Sequence, residues 1–371
     1  MQRALELAVE GRGRVEPNPM VGCLVVQGAE IIGEGWHRRF GKPHAEIEAL
    51  KLAGERAAGG TMVVTLEPCC HQGKTPPCTK AVIAAGIRRV VIAQRDPFPQ
   101  VAGGGVAELE AAGIEVEIGL LEDEARRLNA PYLKLLETGR PWVIAKWAMT
   151  LCGKIATRSG ESRWISCPQS RAIVHELRGR VDAIIVGGAT ARLDDPLLTT
   201  RLEDPQAVPS RTALRVVLDT RGSISSESQL LRTAGETPVL VAVGEESADD
   251  DRQRLQAAGC EVFVCQGQSP DERLDALLLE FGRRRMTNVL VEGGGRLLGS
   301  LFDAGHIDEV HAFIAPKIIG GANAPSPVAG TGLGEMLRAA KLAEPAIRQV
   351  GEDVYVCGRV GAESDNVEFG S

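Results

Sequence analysis

The feature that most constrains this chain is a set of four residues, His44, Glu46, Cys69 and Cys78. One imidazole and two thiolates make three ligands for zinc and leave the fourth tetrahedral position to water, as a catalytic zinc requires. Such a metal brings the pKa of its water toward about 7. Glu46 stands two residues after the ligand histidine, placed to take a proton from that water and hand it to a reacting group. His44-Ala45-Glu46 opens a helical pattern, Pro68-Cys69 follows the strand-like TMVVTLE, and Cys78 lies just past Pro76-Pro77. Both ligand segments thus fall near helix starts, where free N–H groups favour thiolate over thiol.

Strands and helices alternate around these residues. Met20 to Val26 and Glu30 to His37 read as a strand pair, and a helical pattern runs from His44 to Ala57. TMVVTLEP reads as a strand ending at Pro68, followed by helix KAVIAAGI, strand VVIAQRD, helix AELEAAG and strand IEVEIG. A single helix, EDEARRLNAPYLKLLETG, leads to Gly139-Arg140-Pro141. This βαβ rhythm predicts a largely parallel sheet with helices on its faces. At 371 residues, with about 150 per domain, two domains are expected. The Gly-Arg-Pro turn is the boundary, giving 1–141 and 142–361, with 362–371 a polar, disordered tail. The second part alternates again through PWVIAKWAM, VDAIIVGG, LRVVLDT, TPVLVAVG, CEVFVC, TNVLVEGGG and EVHAFIAPKII. No internal repeat joins the halves, so they are different domains.

A net charge of −7 argues against a broad nucleic-acid surface, which needs clustered Lys and Arg, though not against one phosphate pocket. No apolar run reaches the roughly 18 residues of a membrane span, and the start lacks the apolar core of a secretory signal. Nine cysteines, an odd number, do not suggest a disulfide framework. The expectation is a cytoplasmic protein in which Cys23, Cys260, Cys265 and Cys357 are small buried apolar residues.

H-A-E followed by P-C matches the zinc-deaminase signature, but the next cysteine comes late, after the insert CHQGKTPP. Cys70 competes with Cys78 as a ligand, although adjacent residues rarely serve one tetrahedral ion without strain. A closed structural site would need a fourth ligand such as His71. VEPNPMVGC, GKPHAEIEAL and TLEPCCHQGKTPPC together resemble the deaminase half of the bifunctional riboflavin-biosynthesis deaminase/reductases. The resemblance continues through KIATRSGESRWIS, GGATARLDDPLLTTR and VEGGG, and so spans nearly the whole chain. It implies a cytidine-deaminase-like three-layer αβα domain followed by a dihydrofolate-reductase-like α/β domain. It further implies one Zn2+ per chain on His44, Cys69 and Cys78, with Glu46 catalytic. The substrate implied is 2,5-diamino-6-(5-phosphoribosylamino)pyrimidin-4(3H)-one, which loses its 2-amino group. Asn18 would hold the pyrimidine, and His37, His71 and Lys74 would contact the ligand, Lys74 at its phosphate. Cys70 stands where the family carries serine.

In the second half the residues alone are less explicit. Gly293-Gly294-Gly295, between a strand and a helix, suits phosphate as well as a plain tight turn, and Leu298 breaks the G-x-G-x-x-G pattern. The resemblance implies NADPH, with the hydride reducing the ribosyl group of the deaminated product to ribityl. By position, Ala148, Trp164, Thr190, Asp194, Gly294, Gly295, Arg296, Leu297, Leu298, Gly299 and Ser300 line the NADPH site. Lys146, Ser162, Arg178, Leu198, Arg201 and Glu292 contact the substrate, and the guanidinium fork of Arg178 and Arg201 matches phosphate oxygens. Thr150-Leu151-Cys152-Gly153-Lys154 replaces the family's S-L-D-G-[KR], so Cys152 removes a carboxylate from the edge of the cofactor site.

Two other readings remain open. One is a deaminase of another nucleotide or of a polynucleotide, its second domain impaired as a reductase by Cys152 or serving only in binding. The acidic charge and the scarcity of aromatics for base stacking stand against a polynucleotide. The other is a non-catalytic zinc-stabilised nucleotide-binding protein. Affinity order alone admits other divalent ions, and a homo-oligomer stays open.

Overall fold

The computed structural model describes residues 1–73, 76–202 and 209–361. Lys74 and the stretch 362–371 lie outside the described residues. The chain divides into two compact units at Arg140–Pro141. Among the described residues no helix is long and apolar enough to cross a membrane.

The first unit is a five-stranded sheet of order β2-β1-β3-β4-β5. Its strands are β1 (Gly22–Gln27), β2 (Glu30–Trp36), β3 (Thr61–Val64), β4 (Arg89–Ile92) and β5 (Glu115–Ile118). Its helices are α1 (Gln2–Val9), α2 (Ala45–Ala53), α3 (Cys78–Ala84), α4 (Gly104–Ala111), α5 (Glu122–Leu128) and α6 (Ala130–Thr138). Because alternate strand residues point to opposite faces, two cores form. Cys23, Val25, Met62, Val64, Val90 and Ile92 pack with residues of α2, α3 and α4. On the opposite face Leu24 packs with Ala4 and Leu7 of α1, and Ala93 with Leu5 and with Ala125 of α5. Three αβα layers result. Gly35 decides how closely α2 approaches. A Cβ there would lie 2.3 Å from the Ala45 carbonyl oxygen, so glycine lets the start of α2 rest on β2.

The structure differs from the sequence-based expectation in three places here. β1 runs antiparallel to both β2 and β3, and only β3-β4-β5 are parallel, so this sheet is mixed. β3 ends at Val64, since the chain then leaves the regular ladder to build the site. The expected long helix is two, α5 and α6, parted at Asn129. Asn129 accepts from the Met20 amide (2.8 Å) and donates to its carbonyl (2.9 Å). Pro131 follows in the first turn of α6, where its missing N–H costs nothing.

The second unit is a nine-stranded sheet of order β10-β9-β8-β7-β11-β6-β12-β14-β13. The strands are β6 (Trp142–Thr150), β7 (Ala183–Gly187), β8 (Leu214–Leu218), β9 (Val239–Gly244), β10 (Glu261–Cys265), β11 (Asn288–Glu292), β12 (Glu309–Ala315), β13 (Leu342–Val350) and β14 (Asp353–Val360). The helices are α7 (Pro168–Arg178), α8 (Gly188–Asp194), α9 (Gln229–Arg232), α10 (Asp249–Ala257), α11 (Pro270–Arg283) and α12 (Gly295–Asp303). Buried on both faces, the central strands read as continuous apolar runs, as parallel strands under two helical layers do. Val143, Ala145, Val289 and Val291 pack against α11 and α12, while Ile144, Ile184, Val217 and Leu290 pack toward α7, α9 and α10. The antiparallel β13-β14 hairpin is not legible in the sequence. β13 is an edge strand with its inner residues exposed, carrying Pro345 beside a register shift between Ala343 and Ala346. Pro suits such an irregular edge and erases the alternating pattern.

Candidate active sites

His44 is the N-cap of α2, and Cys78 is the first residue of α3. Cys69 follows β3, whose continuation is tied to β4 by the Glu67 amide donating to Gln94 O (2.9 Å). These elements bring His44 Nδ1 to 3.5 Å from Cys69 Sγ and 3.3 Å from Cys78 Sγ. The three donor atoms all lie within 4.8 Å of one another. Ligands at zinc distances of about 2.0–2.3 Å in a tetrahedron stand roughly 3.5 Å apart, so nitrogen and sulfurs are already at ligand spacing. The Cys78 amide also donates to Cys69 Sγ (3.4 Å). Hydrogen bonding, foremost from Cys78 and then with His44, holds the Cys69 thiol well below its ordinary pKa, in the state a metal ligand needs. Glu46 is buried on the first turn of α2, and burial raises its carboxyl above the ordinary range.

The neighbours expected at this site partly gather. The His37 ring meets that of His44 edge-on with centroids 5.2 Å apart, and His37 Nε2 lies 3.5 Å from Asn18 Nδ2. His37 Nδ1 contacts Pro43 O at 3.1 Å, and burial lowers its pKa. His71 stands beside Phe98 with centroids 6.0 Å apart, and among the described residues its Nδ1 is buried without a hydrogen-bond partner. Cys70 turns away from the three donors: its Sγ lies 3.8 Å from Gln100 O. Sequence reasoning missed Glu67 and Asp96, which shape the loop beyond β4. Glu67 accepts from the amides of Asp96, Gly103 and Val106. Asp96 accepts from the Tyr132 hydroxyl (2.8 Å). A buried carboxylate directly before the Pro68-Cys69 pair was the available signal.

The second unit gathers its polar groups around the carboxyl end of β11, with Lys146 of the neighbouring β6 paired beside Glu292, the kind of place where open parallel sheets bind ligands. Glu292, last in β11, takes Arg178 Nε at 2.5 Å and Nη2 at 2.8 Å, and Lys146 Nζ of β6 lies 3.8 Å away. The three side chains are mostly buried. Burial and the Arg178 charge lower the pKa of Lys146, while Glu292 holds its charge against burial through Arg178 and Lys146. Leu198 is buried in the core, and the exposed Arg201 follows three residues later. Ser162 donates to Asp194 Oδ1 (2.8 Å), and Arg163 donates to the Asp194 carbonyl. Trp164 is exposed, under the Arg171 guanidinium at 4.5 Å.

Gly293 and Gly294, at φ of 85° and 79°, hold the left-handed turn that opens α12. A Cβ on Gly294 would sit 3.0 Å from Thr190 Oγ1, so the turn and the start of α8 form a cradle that a side chain would fill. In the rest of that stretch, Leu298 lies in the core and a Cβ on Gly299 would run into the Ala329 carbonyl, while Arg296 is exposed. Ala148 sits on β6 opposite Phe313. Cys152 Sγ accepts from the amides of Ile319 and Gly320 at 3.4 Å each and lies 3.2 Å from Thr150 Oγ1. The Thr150 hydroxyl foremost, then the two amides, bring its pKa down to about 7.

Of the cysteines expected to be buried, Cys23, Cys260 and Cys265 are, whereas Cys357 is half-buried.

Comparison with known proteins covers both units. A family model described as the cytidine and deoxycytidylate deaminase zinc-binding region matches residues 1–94, and one described as the RibD C-terminal domain matches residues 141–356. The chain is 41% identical over 367 residues to the riboflavin biosynthesis protein RibD of Synechocystis sp., covering 99% of this chain and 97% of that one. It is 40% identical over 362 residues to the Escherichia coli protein of the same description, covering 95% and 96%. Among solved structures, Acinetobacter baumannii RibD superposes with a TM-score of 0.85 at 36% identity, covering 97% of this chain and 98% of that one. A Thermotoga maritima diaminohydroxyphosphoribosylaminopyrimidine deaminase/5-amino-6-(5-phosphoribosylamino)uracil reductase does so at 0.82 and 35%, covering 97% of each.

Proposed function

This chain belongs to the RibD family of bifunctional riboflavin-biosynthesis deaminase/reductases, and from that premise we propose which residues run each half-reaction. The deaminase work belongs to 1–141 and the reductase work to 142–361, and the substrate is a small phosphoribosyl-pyrimidine. We assign it as 2,5-diamino-6-(5-phosphoribosylamino)pyrimidin-4(3H)-one. The observation that carries the first assignment is the convergence of one imidazole nitrogen and two sulfurs at ligand spacing beside a buried carboxyl.

His44, Cys69 and Cys78 would hold one zinc ion, which when bound supplies a Lewis acid that activates water at neutral pH. Glu46, buried and with a raised pKa, moves protons: it takes one from the attacking water, places it on the ring nitrogen, and serves the departing ammonia. Asn18 and His37 orient the pyrimidine, with His71 as a further contact. In the second unit the Gly294–Thr190 cradle and the amides opening α12 suit a nucleotide phosphate, which supports NADPH as the reductant. Bound there, NADPH would supply the hydride that reduces the ribosyl group of the deaminated product to ribityl. Arg178 and Lys146, with Arg201 on the adjoining loop, hold the substrate, and Glu292 keeps the first two fixed and charged. All nine cysteines are free thiols, which supports a reducing, cytoplasmic setting.

The test is ammonia release from the diaminopyrimidine phosphoriboside by zinc-loaded protein, with NADPH oxidation followed in the same cuvette. Ammonia followed by loss of NADPH is expected. Ammonia alone would retain the first assignment and overturn the second.

A further inference from the structure

The last turn of α7 carries an imidazole that the two half-reactions do not use. His175 and Arg178, three residues apart, share one helix face. The stretch after α8 is docked on that face. Leu198 is buried in the core, Arg178 Nη1 donates to the Thr199 carbonyl (3.2 Å), and the Arg201 amide donates to His175 Nδ1 (3.2 Å). The Arg201 side chain is exposed, so its main chain is tied down while its guanidinium stays available to a ligand.

We propose that His175, as a neutral imidazole, is a positioning residue of the reductase site, holding the main chain at Arg201 so that Arg201 and Arg178 present a fixed pair to the substrate's phosphate. This rests on the reading that those arginines meet the phosphate.

The surrounding charges fit the role. Around His175 stand Arg178 on its own helix, Arg201 on the docked loop, and Glu292 at the end of β11 with Lys146 of β6 beside it. Among the described residues, three cations stand near one carboxylate, a balance that suits a phosphate dianion. Nδ1 accepts a hydrogen bond only while it is unprotonated. Burial foremost, then the positive charges of Arg178 and Arg201, bring the pKa of His175 down to about 4, so the accepting form prevails across the working pH range. A side chain that merely filled space would need neither an acceptor at Nδ1 nor neutrality.

The test uses the full chain with NADPH and two substrates, the deaminated phosphoribosylamino-uracil and its dephosphorylated counterpart. His175→Leu should raise KM for the phosphorylated substrate by about tenfold, the order of one lost hydrogen bond and a loosened arginine. It should leave kcat, and KM for the dephosphorylated substrate, unchanged. His175→Asn, whose Oδ1 falls near the place of Nδ1, should restore KM to within about twofold. An equal change for both substrates, a fall in kcat alone, or no change would overturn the proposal. Arg201→Ala separates it from the reading beneath it. If Arg201→Ala leaves KM for the phosphorylated substrate unmoved, the phosphate assignment falls and the proposal with it. If Arg201→Ala raises that KM and His175→Leu does not, only the positioning role falls.

Discussion

Each site stands beside the carboxyl end of a parallel strand, β3 in the first unit and β11 in the second, yet the two are built on opposite plans. In the first unit the chemistry sits in four side chains between His44 and Cys78, held by the starts of α2 and α3. In the second it is spread from Lys146 to Glu292, and much of it is backbone: two left-handed glycines, a helix start and a docked loop. On our assignment the first makes its own catalyst from a metal and a carboxyl. The second mainly has to place a reductant against a sugar, so it needs ion pairs and shape more than an acid/base pair.

The largest effect that would sharpen this contrast comes from Glu46→Gln. General acid–base groups contribute about 10²–10⁴-fold, so ammonia release should fall by that factor or more while zinc content stays at one per chain. NADPH oxidation with pre-deaminated substrate should be unchanged. Loss of both activities in a folded variant would break the comparison, because the two sites would then not be independent.

The contrast also explains what the sequence revealed. Metal ligation and proton transfer need fixed residue types, so the proposed ligands His44, Cys69 and Cys78 and the proton carrier Glu46 stand out before any fold is known. Glu67, Asp96 and Asn129 act through backbone amides and a tyrosine hydroxyl, partners that only the fold brings near. In the second unit the residues alone read Gly294 as a phosphate loop or a plain turn; only the resemblance joined it to Thr190, which arrives from α8, far away in sequence. Nothing in the sequence marks His175, because the Arg201 amide that pairs with its ring comes near only in the fold. The β13-β14 hairpin escaped for the reason edge strands often do: exposure removes the alternation that marks a strand.

The next effect in size belongs to the buried ion cluster. Glu292→Gln removes the carboxylate that accepts both Arg178 nitrogens and faces Lys146, leaving two mostly buried cations uncompensated. Breaking such a pair costs about 3 kcal/mol, roughly 10 °C in the thermal transition of a domain of this size. NADPH oxidation should be lost and ammonia release kept. A second unit of unchanged stability would show that solvent reaches the cluster freely.

A smaller effect depends on pH. His175 binds its proton less readily folded (about 4) than unfolded (about 6.5), so between those values the unfolded chain carries more protons. The stability this contributes is complete above pH 6.5 and is lost as pH falls toward 4. It amounts to about 1 kcal/mol once discounted for partial exposure. Urea unfolding of wild type and His175→Asn at pH 7.5 and 5 checks it: the variant should lose less stability than wild type on acidification.

The smallest effect concerns Cys152, the clearest departure from the family in the second unit. A carboxylate at that turn would accept hydrogen bonds, and the sulfur here already does so from Ile319 and Gly320, with a pKa near 7 that makes it substantially thiolate at neutral pH. The sulfur would then take over the acceptor role and keep the turn. Cys152→Asp should leave NADPH oxidation within about twofold, whereas Cys152→Ala removes the acceptor that fixes the Ile319 and Gly320 amides and should lower it several-fold. Iodoacetamide should modify Cys152 of zinc-loaded protein with a rate half-maximal near pH 7, below the ~8.5 of an ordinary thiol, and ammonia release should not change. A tenfold gain from Cys152→Asp would mean the carboxylate does chemistry that an acceptor of the same geometry does not. The second site would then depend on a titratable side chain after all, and its difference from the first would narrow.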